Sequence, residues 1–169
     1  MRGTDRKLLL CMMLAAAAGI GLHGAFDRWP SIVTEFFAPV NESLWEHVKL
    51  LFWPYLLTGL YLTGIGRWST APWLASLLLS CTLMLPLGWM IHKYMTANTI
   101  IGHLILYGLL IVLQYALPDL LPLGERWTGL LSAGVILLCG MIICWTIQPL
   151  NHPLFHDLSL ADTFFRLPC

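Results

Sequence analysis

Five apolar stretches of about 20 residues run through the chain, and they constrain its fold more than any other feature. An α-helix needs about 20 residues to cross the hydrocarbon core of a bilayer. Inside that core a lone strand would leave its backbone N–H and C=O groups unpaired, whereas a helix pairs them internally. The stretches therefore predict five transmembrane helices, over residues 7–26, 43–65, 72–91, 99–117 and 128–147.

The composition agrees with a chain that is solvated by lipid. Hydrophobic residues make up 58% of the 169 residues and charged residues only 11%, whereas a soluble domain usually has about 25% charged residues. So few charges could not cover a surface that faces water. The net charge of +0 also lacks the basic excess that nucleic-acid binding requires, so no nucleic-acid partner is expected.

We predict a single all-α domain over residues 1–169, a polytopic membrane helix bundle. Its longest connection, residues 27–41, contains Trp29, Phe36 and Phe37. Aromatic residues favour the boundary between membrane and water, so this connection is predicted to be an interfacial segment. The tail, residues 148–169, is predicted to be non-helical.

The densest polar cluster lies at the predicted start of the second helix. Asn41 is predicted to be the N-cap, because its side chain can accept from a free backbone N–H. Glu42 then falls in the first turn, and Glu46 shares its helix face four residues later. Glu46 is also three residues before Lys49, so these two can form an ion pair. Ionisable groups in a span usually face a cavity or a partner, which makes Glu42, Glu46 and His47 the catalytic candidates.

Two further polar groups are predicted to lie on the same side of the membrane. The connection at residues 27–41 joins His23, near the end of the first helix, to the polar cluster, and five crossings bring His156 and Asp157 of the tail to that side as well. Imidazoles and carboxylates are the ligands that a borderline cation such as Zn²⁺ takes. We therefore predict a site for a divalent metal such as zinc, with His23, Glu46, His156 and Asp157 as ligands.

A polar stripe on the fourth helix has two interpretations. His103, Tyr107 and Gln114 are separated by four and seven residues, so they share a helix face. Such groups commonly form hydrogen bonds between membrane helices. The other interpretation is that they line a pathway through the bundle.

These residues leave three functions open, and they do not decide whether the chain is an enzyme. The first is metal-dependent hydrolysis or group transfer on a lipid or membrane peptide, in which a metal activates water and a free glutamate moves the proton. The second is a transporter or channel subunit for a cation or small solute, which with five spans predicts a homo-oligomer. The third is a non-catalytic assembly or accessory protein. Membrane lipids are expected partners in each case.

The polar cluster also resembles the signature of a family of small bacterial integral membrane proteins of unknown function. That family has an Asn-Glu-Ser-x-Trp-Glu-His-x-Lys block at the head of its second helix, which corresponds here to residues 41–49. His23 near the end of the first helix and the Pro-Leu-Phe-x-Asp ending at residues 153–157 match as well. Members read Tyr-Glu where this chain has Phe26 and Asp27. The resemblance implies a location in the bacterial cytoplasmic membrane and supplies no activity.

Overall fold

The computed structural model describes residues 3–94 and 99–158, and within these ranges it contains helices and turns but no strand. The predicted all-α fold is therefore confirmed. The helices are α1 (Gly3–His23), α2 (Ala25–Arg28), α3 (Ile32–Phe37), α4 (Leu44–Gly64), α5 (Thr70–Tyr94), α6 (Thr99–Leu120) and α7 (Thr128–Ile147). Short 3₁₀ turns lie at Glu125–Trp127 and Pro153–Phe155. The last part of the predicted non-helical tail, residues 159–169, lies outside the described residues.

The outer surface of the bundle is apolar. α1, α5, α6 and α7 are each long and apolar enough to cross a membrane. α4 has 21 residues, as α1 does, but it carries Glu46 and Lys49 near its start. Leu57, Leu109 and Ile136 are each more than half exposed on the outer faces, where lipid rather than water solvates such side chains well. The chain is therefore an integral membrane protein, a bundle of about five transmembrane helices.

α4 lies at the centre of the bundle and contacts α1, α5, α6 and α7. Its Phe52 and Tyr55 are fully buried. Gly59 allows α5 to approach closely, because a Cβ built on Gly59 would lie 1.6 Å from Nε1 of Trp73. Close packing on several sides restricts the movement of α4, and its first turn is thereby held in place.

A proline in α6 explains a contact among three helices. A helical carbonyl accepts from the N–H four residues later, but the residue four after Gln114 is Pro118, which has no N–H. The hydroxyls of Tyr55 and Ser76 donate to the Gln114 carbonyl oxygen instead, each at 2.7 Å. These bonds join α4, α5 and α6 at a buried point, where an unpaired carbonyl would be costly.

Candidate metal centre

Two histidines and a glutamate meet where α1 ends and α4 begins. His23 is the last residue of α1, Glu42 lies in the loop before α4, and His47 is in the first turn of α4. Nε2 of His23 lies 3.2 Å from Nε2 of His47, and Oε2 of Glu42 lies 3.5 Å from each of these nitrogens. We call these three residues the trio. Their ligand atoms are close enough to hold one metal ion.

The spacing of the trio fits zinc. A triangle with sides of 3.2, 3.5 and 3.5 Å has a point about 2.0 Å from all three corners, and bonds from zinc to imidazole or carboxylate are about 2.0–2.2 Å long. Two imidazoles and one carboxylate form a ligand set of catalytic zinc sites, which keep a further position open. The side chains of His23 and Glu42 are 44% and 46% exposed, so water or a substrate can reach the ion.

The backbone of α4 orients the His47 ring. Its Nδ1 lies 2.7 Å from the carbonyl oxygen of Ser43, so the N–H at Nδ1 donates to that oxygen. This tautomer directs the lone pair of Nε2 toward His23 and Glu42. A hydrogen bond at the second ring nitrogen is the usual way in which imidazole ligands are oriented.

The loop that carries Glu42 is shaped by Asn41 and Ser43. Ser43 is the N-cap of α4, and its hydroxyl accepts from the N–H of Glu46 at 3.3 Å. Oδ1 of Asn41 accepts from the N–H of Ser43 at 3.0 Å, a local turn that asparagine favours. The predicted N-cap at Asn41 is therefore wrong by two residues. Glu42 precedes the helix and turns toward His47, so it does not share a helix face with Glu46.

The surrounding histidines favour the charged form of Glu42. When Nε2 of His47 is protonated as well as Nδ1, it faces Oε2 of Glu42 at 3.5 Å. This contact is the main cause that lowers the pKa of the Glu42 carboxyl below its ordinary value of 4.5, and partial burial opposes it. Positive charge on His47, His23 and His103 lowers this pKa further. The ionised carboxylate is the form that binds a metal.

Glu46 and Lys49 form a separate ion pair inside the bundle. Nζ of Lys49 donates to Oε2 of Glu46 at 2.6 Å, which confirms the pairing predicted from their spacing. Nζ also donates to the carbonyl oxygens of Glu35 at 2.7 Å and Ala38 at 3.2 Å. The same carboxylate oxygen accepts from the N–H of Val40 at 2.9 Å. The hydrogen bonds of this pair therefore connect α3 and the loop after it to α4.

The structure distributes the predicted site residues between these two groups. His23, predicted as a metal ligand, and Glu42 and His47, predicted as catalytic residues, form the trio. Glu46, predicted for both roles, is directed toward Lys49 and is not among the three converging ligands in the described part of the chain. The Glu46 carboxylate is paired with the Lys49 ammonium in the buried interior instead.

The tail lies at the same end of the bundle as the trio. Phe155 stacks on Trp45 of α4 with 5.2 Å between ring centroids and meets Trp145 of α7 at 5.4 Å. His156 is exposed and Asp157 is partly buried. Among the described residues, the converging ligand group includes neither of them. The sequence does not predict that Phe155 contacts Trp45 and Trp145, although the apolar residues Pro153–Phe155 in a polar tail are a signal of burial.

The predicted polar stripe of α6 makes contacts between helices. The hydroxyl of Tyr107 donates to the carbonyl oxygen of Ala16 in α1 at 3.2 Å. Gln114 is fully buried, at the point where α4, α5 and α6 meet. His103 is partly buried and near enough to Glu42 for its charge to lower the pKa of that carboxyl. Tyr107 therefore makes the interhelical hydrogen bond that one interpretation predicts, whereas Gln114 joins the helices through its backbone carbonyl oxygen and not through its side-chain amide.

The fold and the trio together define an integral membrane helix bundle with a polar His/Glu/His site at one end. No protein-family model, curated protein or solved structure matches the chain.

Proposed function

We propose that the trio binds a divalent metal such as zinc, and that the metal serves hydrolysis or group transfer on a lipid or membrane peptide. The observation that carries this proposal is the set of distances among the ligand atoms of His23, Glu42 and His47, which are 3.2, 3.5 and 3.5 Å. When bound, such a metal lowers the pKa of a coordinated water and polarises a carbonyl or phosphoryl oxygen.

The position of the trio supports a substrate that belongs to the membrane. His23 is the last residue of the long helix α1, and His47 lies in the first turn of the long helix α4. The end of a membrane-spanning helix corresponds to the level of the lipid headgroups, which supports a substrate at that level. The exposed sides of His23 and Glu42 leave room for such a group. One chain supplies all three ligands, so a homo-oligomer is not required to complete the trio.

The bacterial cytoplasmic membrane is the proposed location. This part of the proposal, together with membership of the family that has the Asn-Glu-Ser-x-Trp-Glu-His-x-Lys block, is supported by the resemblance at residues 41–49. Membrane lipids are the proposed partners, because the outer faces of the helices are apolar.

Zinc titration of the full-length chain in detergent tests the metal site. We expect one Zn²⁺ per chain in the wild type. Glu42→Gln and His47→Ala should each weaken zinc binding by more than about tenfold, because each removes a ligand. Even a residue that only forms a hydrogen bond to a metal ligand typically changes metal affinity by about tenfold or more. His156→Ala is the matched control, since it removes a histidine outside the trio and should keep the wild-type affinity.

Two results would overturn the trio as a metal site. One is zinc far below one equivalent per chain in the wild type, and the other is equal affinity in the wild type and Glu42→Gln. Loss of zinc in His156→Ala with zinc retained in Glu42→Gln would favour the ligand set predicted from the sequence instead. Thermal unfolding of each variant separates the loss of a ligand from the loss of the fold.

The reaction is tested with vesicles of a bacterial lipid extract that contain an added hydrophobic peptide. Zinc-loaded wild-type protein should generate a cleaved or transferred product that mass spectrometry detects, and Glu42→Gln should generate none. Absence of a zinc-dependent product from both the lipids and the peptide would reject the enzymatic part of the proposal.

A further inference from the structure

An apolar groove runs between α1 and α4, and Leu22 in its wall directly precedes His23 of the trio. Its volume is about 360 Å³. α1 contributes Ala18, Gly21 and Leu22 to its walls, and α4 contributes Pro54 and Leu57. The groove therefore connects the end of α1 that carries His23 with the outer surface of the bundle.

The groove exists because α1 packs closely on α4 at Gly19 and leaves open space at Gly21. At Gly19 an added Cβ would lie 2.9 Å from the carbonyl oxygen of Leu50, so the two backbones are in close contact there. At Gly21 an added Cβ would meet no atom within 4 Å. The small side chain of Ala18 and the missing one of Gly21 leave the space that the groove occupies.

The depth of the groove corresponds to one leaflet of a bilayer. Leu22 directly precedes His23, so one end of the groove lies at the level of the trio. Pro54 and Leu57 follow His47 by seven and ten residues, which places them about 10 and 15 Å further along the axis of α4. Half of the hydrocarbon core is about 15 Å thick. The groove wall thus extends from Leu22, next to His23, to a depth that corresponds to about the centre of the bilayer.

The walls of the groove suit hydrocarbon and do not suit a peptide. Among the described lining residues, Trp53 has the one polar side-chain group, and its indole N–H already donates to the carbonyl oxygen of Phe36 at 3.0 Å. A peptide in the groove would leave its amide groups unpaired in apolar surroundings, whereas an acyl chain has no such groups. Leu57 is 67% exposed and Phe37 is 42% exposed, so the groove is open to the surrounding lipid.

We infer that the substrate of the trio is a lipid, with one acyl chain in the groove and its polar head at His23, Glu42 and His47. This inference rests on the proposed metal site and selects the lipid over the membrane peptide. The trio and the groove match the two halves of an amphiphile, a charged or polar head and a hydrocarbon tail. A lipid reaches both from within the membrane, because the groove opens sideways.

Photocrosslinking in vesicles tests the inference. The full-length protein is reconstituted in phosphatidylglycerol that contains a minor fraction of the same lipid with a diazirine in the middle of one acyl chain. After irradiation, peptide mass spectrometry should find labelling several-fold higher at the groove residues of α1 and α4 than at Ile136 on the outer face of α7. Zinc affinity is measured on the same preparations.

Gly21→Phe introduces a bulky side chain into the groove wall, at a position where an added Cβ meets no atom within 4 Å. We expect it to reduce groove labelling several-fold and to keep the wild-type zinc affinity, since no ligand changes. Gly140→Phe is the matched control on α7, where an added Cβ also meets no atom within 4 Å, and it should leave groove labelling unchanged. Ala18→Leu is a second variant that fills the groove from one turn away.

The outcomes separate this inference from the metal site. Equal labelling of the groove and of Ile136, in wild-type protein that binds zinc, would overturn the lipid assignment and leave the metal site intact. Groove labelling that persists in both Gly21→Phe and Ala18→Leu would overturn it as well. Strong groove labelling in wild-type protein that binds no zinc would instead overturn the assignment of the head to a metal.

Discussion

The ammonium of Lys49 lies 2.6 Å from the carboxylate of Glu46, and the two side chains are 0% and 4% exposed. The hydroxyl of Thr146 in α7 donates to the carbonyl oxygen of Ile142 at 2.7 Å and also lies 3.3 Å from the second carboxylate oxygen of Glu46. Lys49 donates to the carbonyl oxygen of Glu35 in α3. This pair therefore joins α3, α4 and α7 beside the loop that carries Glu42. It supports the trio without belonging to it.

Removal of one member of this pair should destabilise the protein more than removal of both charges. Lys49→Met leaves the Glu46 carboxylate buried without its cation, and breaking a buried pair in this way typically costs about 3–5 kcal/mol. Adding Glu46→Gln removes the remaining charge and keeps an acceptor for the N–H of Val40, so the double variant should regain part of the lost stability. Chemical unfolding in detergent micelles measures both. A double variant less stable than Lys49→Met alone would contradict this account.

Zinc affinity should fall as the pH is lowered from about 8 to 5. Imidazole binds zinc only in its neutral form, so protons compete with zinc for the two ring nitrogens of the trio. Glu42 contributes little over this range, because its pKa is lowered below 4.5 and its carboxyl stays ionised. Calorimetric titration at several pH values gives the affinity. An affinity that does not change between pH 8 and 5 would argue against two imidazole ligands.

The contact between Glu42 and His47 should also contribute to acid stability in the absence of metal. The folded state lowers the pKa of Glu42, so the stabilisation is complete above the ordinary pKa of about 4.5 and is lost as the pH falls through the lowered value. We expect Glu42→Gln to reduce the stability at pH 6 and to have little effect near pH 2, as thermal unfolding at the two pH values would show. If Glu42→Gln is as stable as the wild type at pH 6, the contact between Glu42 and His47 does not stabilise the folded protein.

The long helices follow from the sequence because their signals are local. α7 occupies Thr128–Ile147, the same residues as the apolar stretch that predicts it. The end of α6 is different, because it continues through Pro118 to Leu120, beyond the predicted end at residue 117. Tyr55 pairs with the carbonyl that Pro118 leaves open, and a contact from another helix leaves no trace in the local pattern.

The sequence does not predict that Glu42 belongs to the trio whereas Glu46 pairs with Lys49 in the interior. A spacing of four places Glu42 and Glu46 on one face only if both residues are helical. Asn41 and Ser43 are both good N-caps, so residue type does not fix where α4 starts. The partners of Lys49 include backbone carbonyls of α3, which come within reach only after the connection has folded back onto α4.

The contact at the Gln114 carbonyl can be tested by restoring the missing N–H. Tyr55→Phe removes one donor to this carbonyl, and hydrogen bonds between membrane helices are worth about 0.6 kcal/mol on average, up to about 1.7. Pro118→Ala supplies the backbone N–H that a helix normally directs at this carbonyl. Tyr55→Phe should therefore cost less in a Pro118→Ala background, as unfolding of the four proteins of this cycle would measure. Equal costs in the two backgrounds would show that the carbonyl does not depend on Tyr55.

The contact between Gly59 and Trp73 should be the most sensitive point of the interface between α4 and α5. An alanine Cβ at position 59 would lie 1.6 Å from Nε1 of Trp73, and Trp73 is buried, so the indole or the whole of α5 must move. Overpacking of this kind typically costs about 1–3 kcal/mol. Gly140→Ala is the matched control, because its added Cβ meets no atom within 4 Å and alanine is the better helix former.

The steric origin of this effect is checked in a Trp73→Ala background, where the ring that would collide with the new Cβ is absent. Gly59→Ala should then cost little, whereas in the wild type it should lower the unfolding temperature clearly. If Gly59→Ala is equally costly in both backgrounds, the loss arises from the backbone of α4 itself. In that case the close approach of Trp73 would not be the reason that this central helix needs a glycine at position 59.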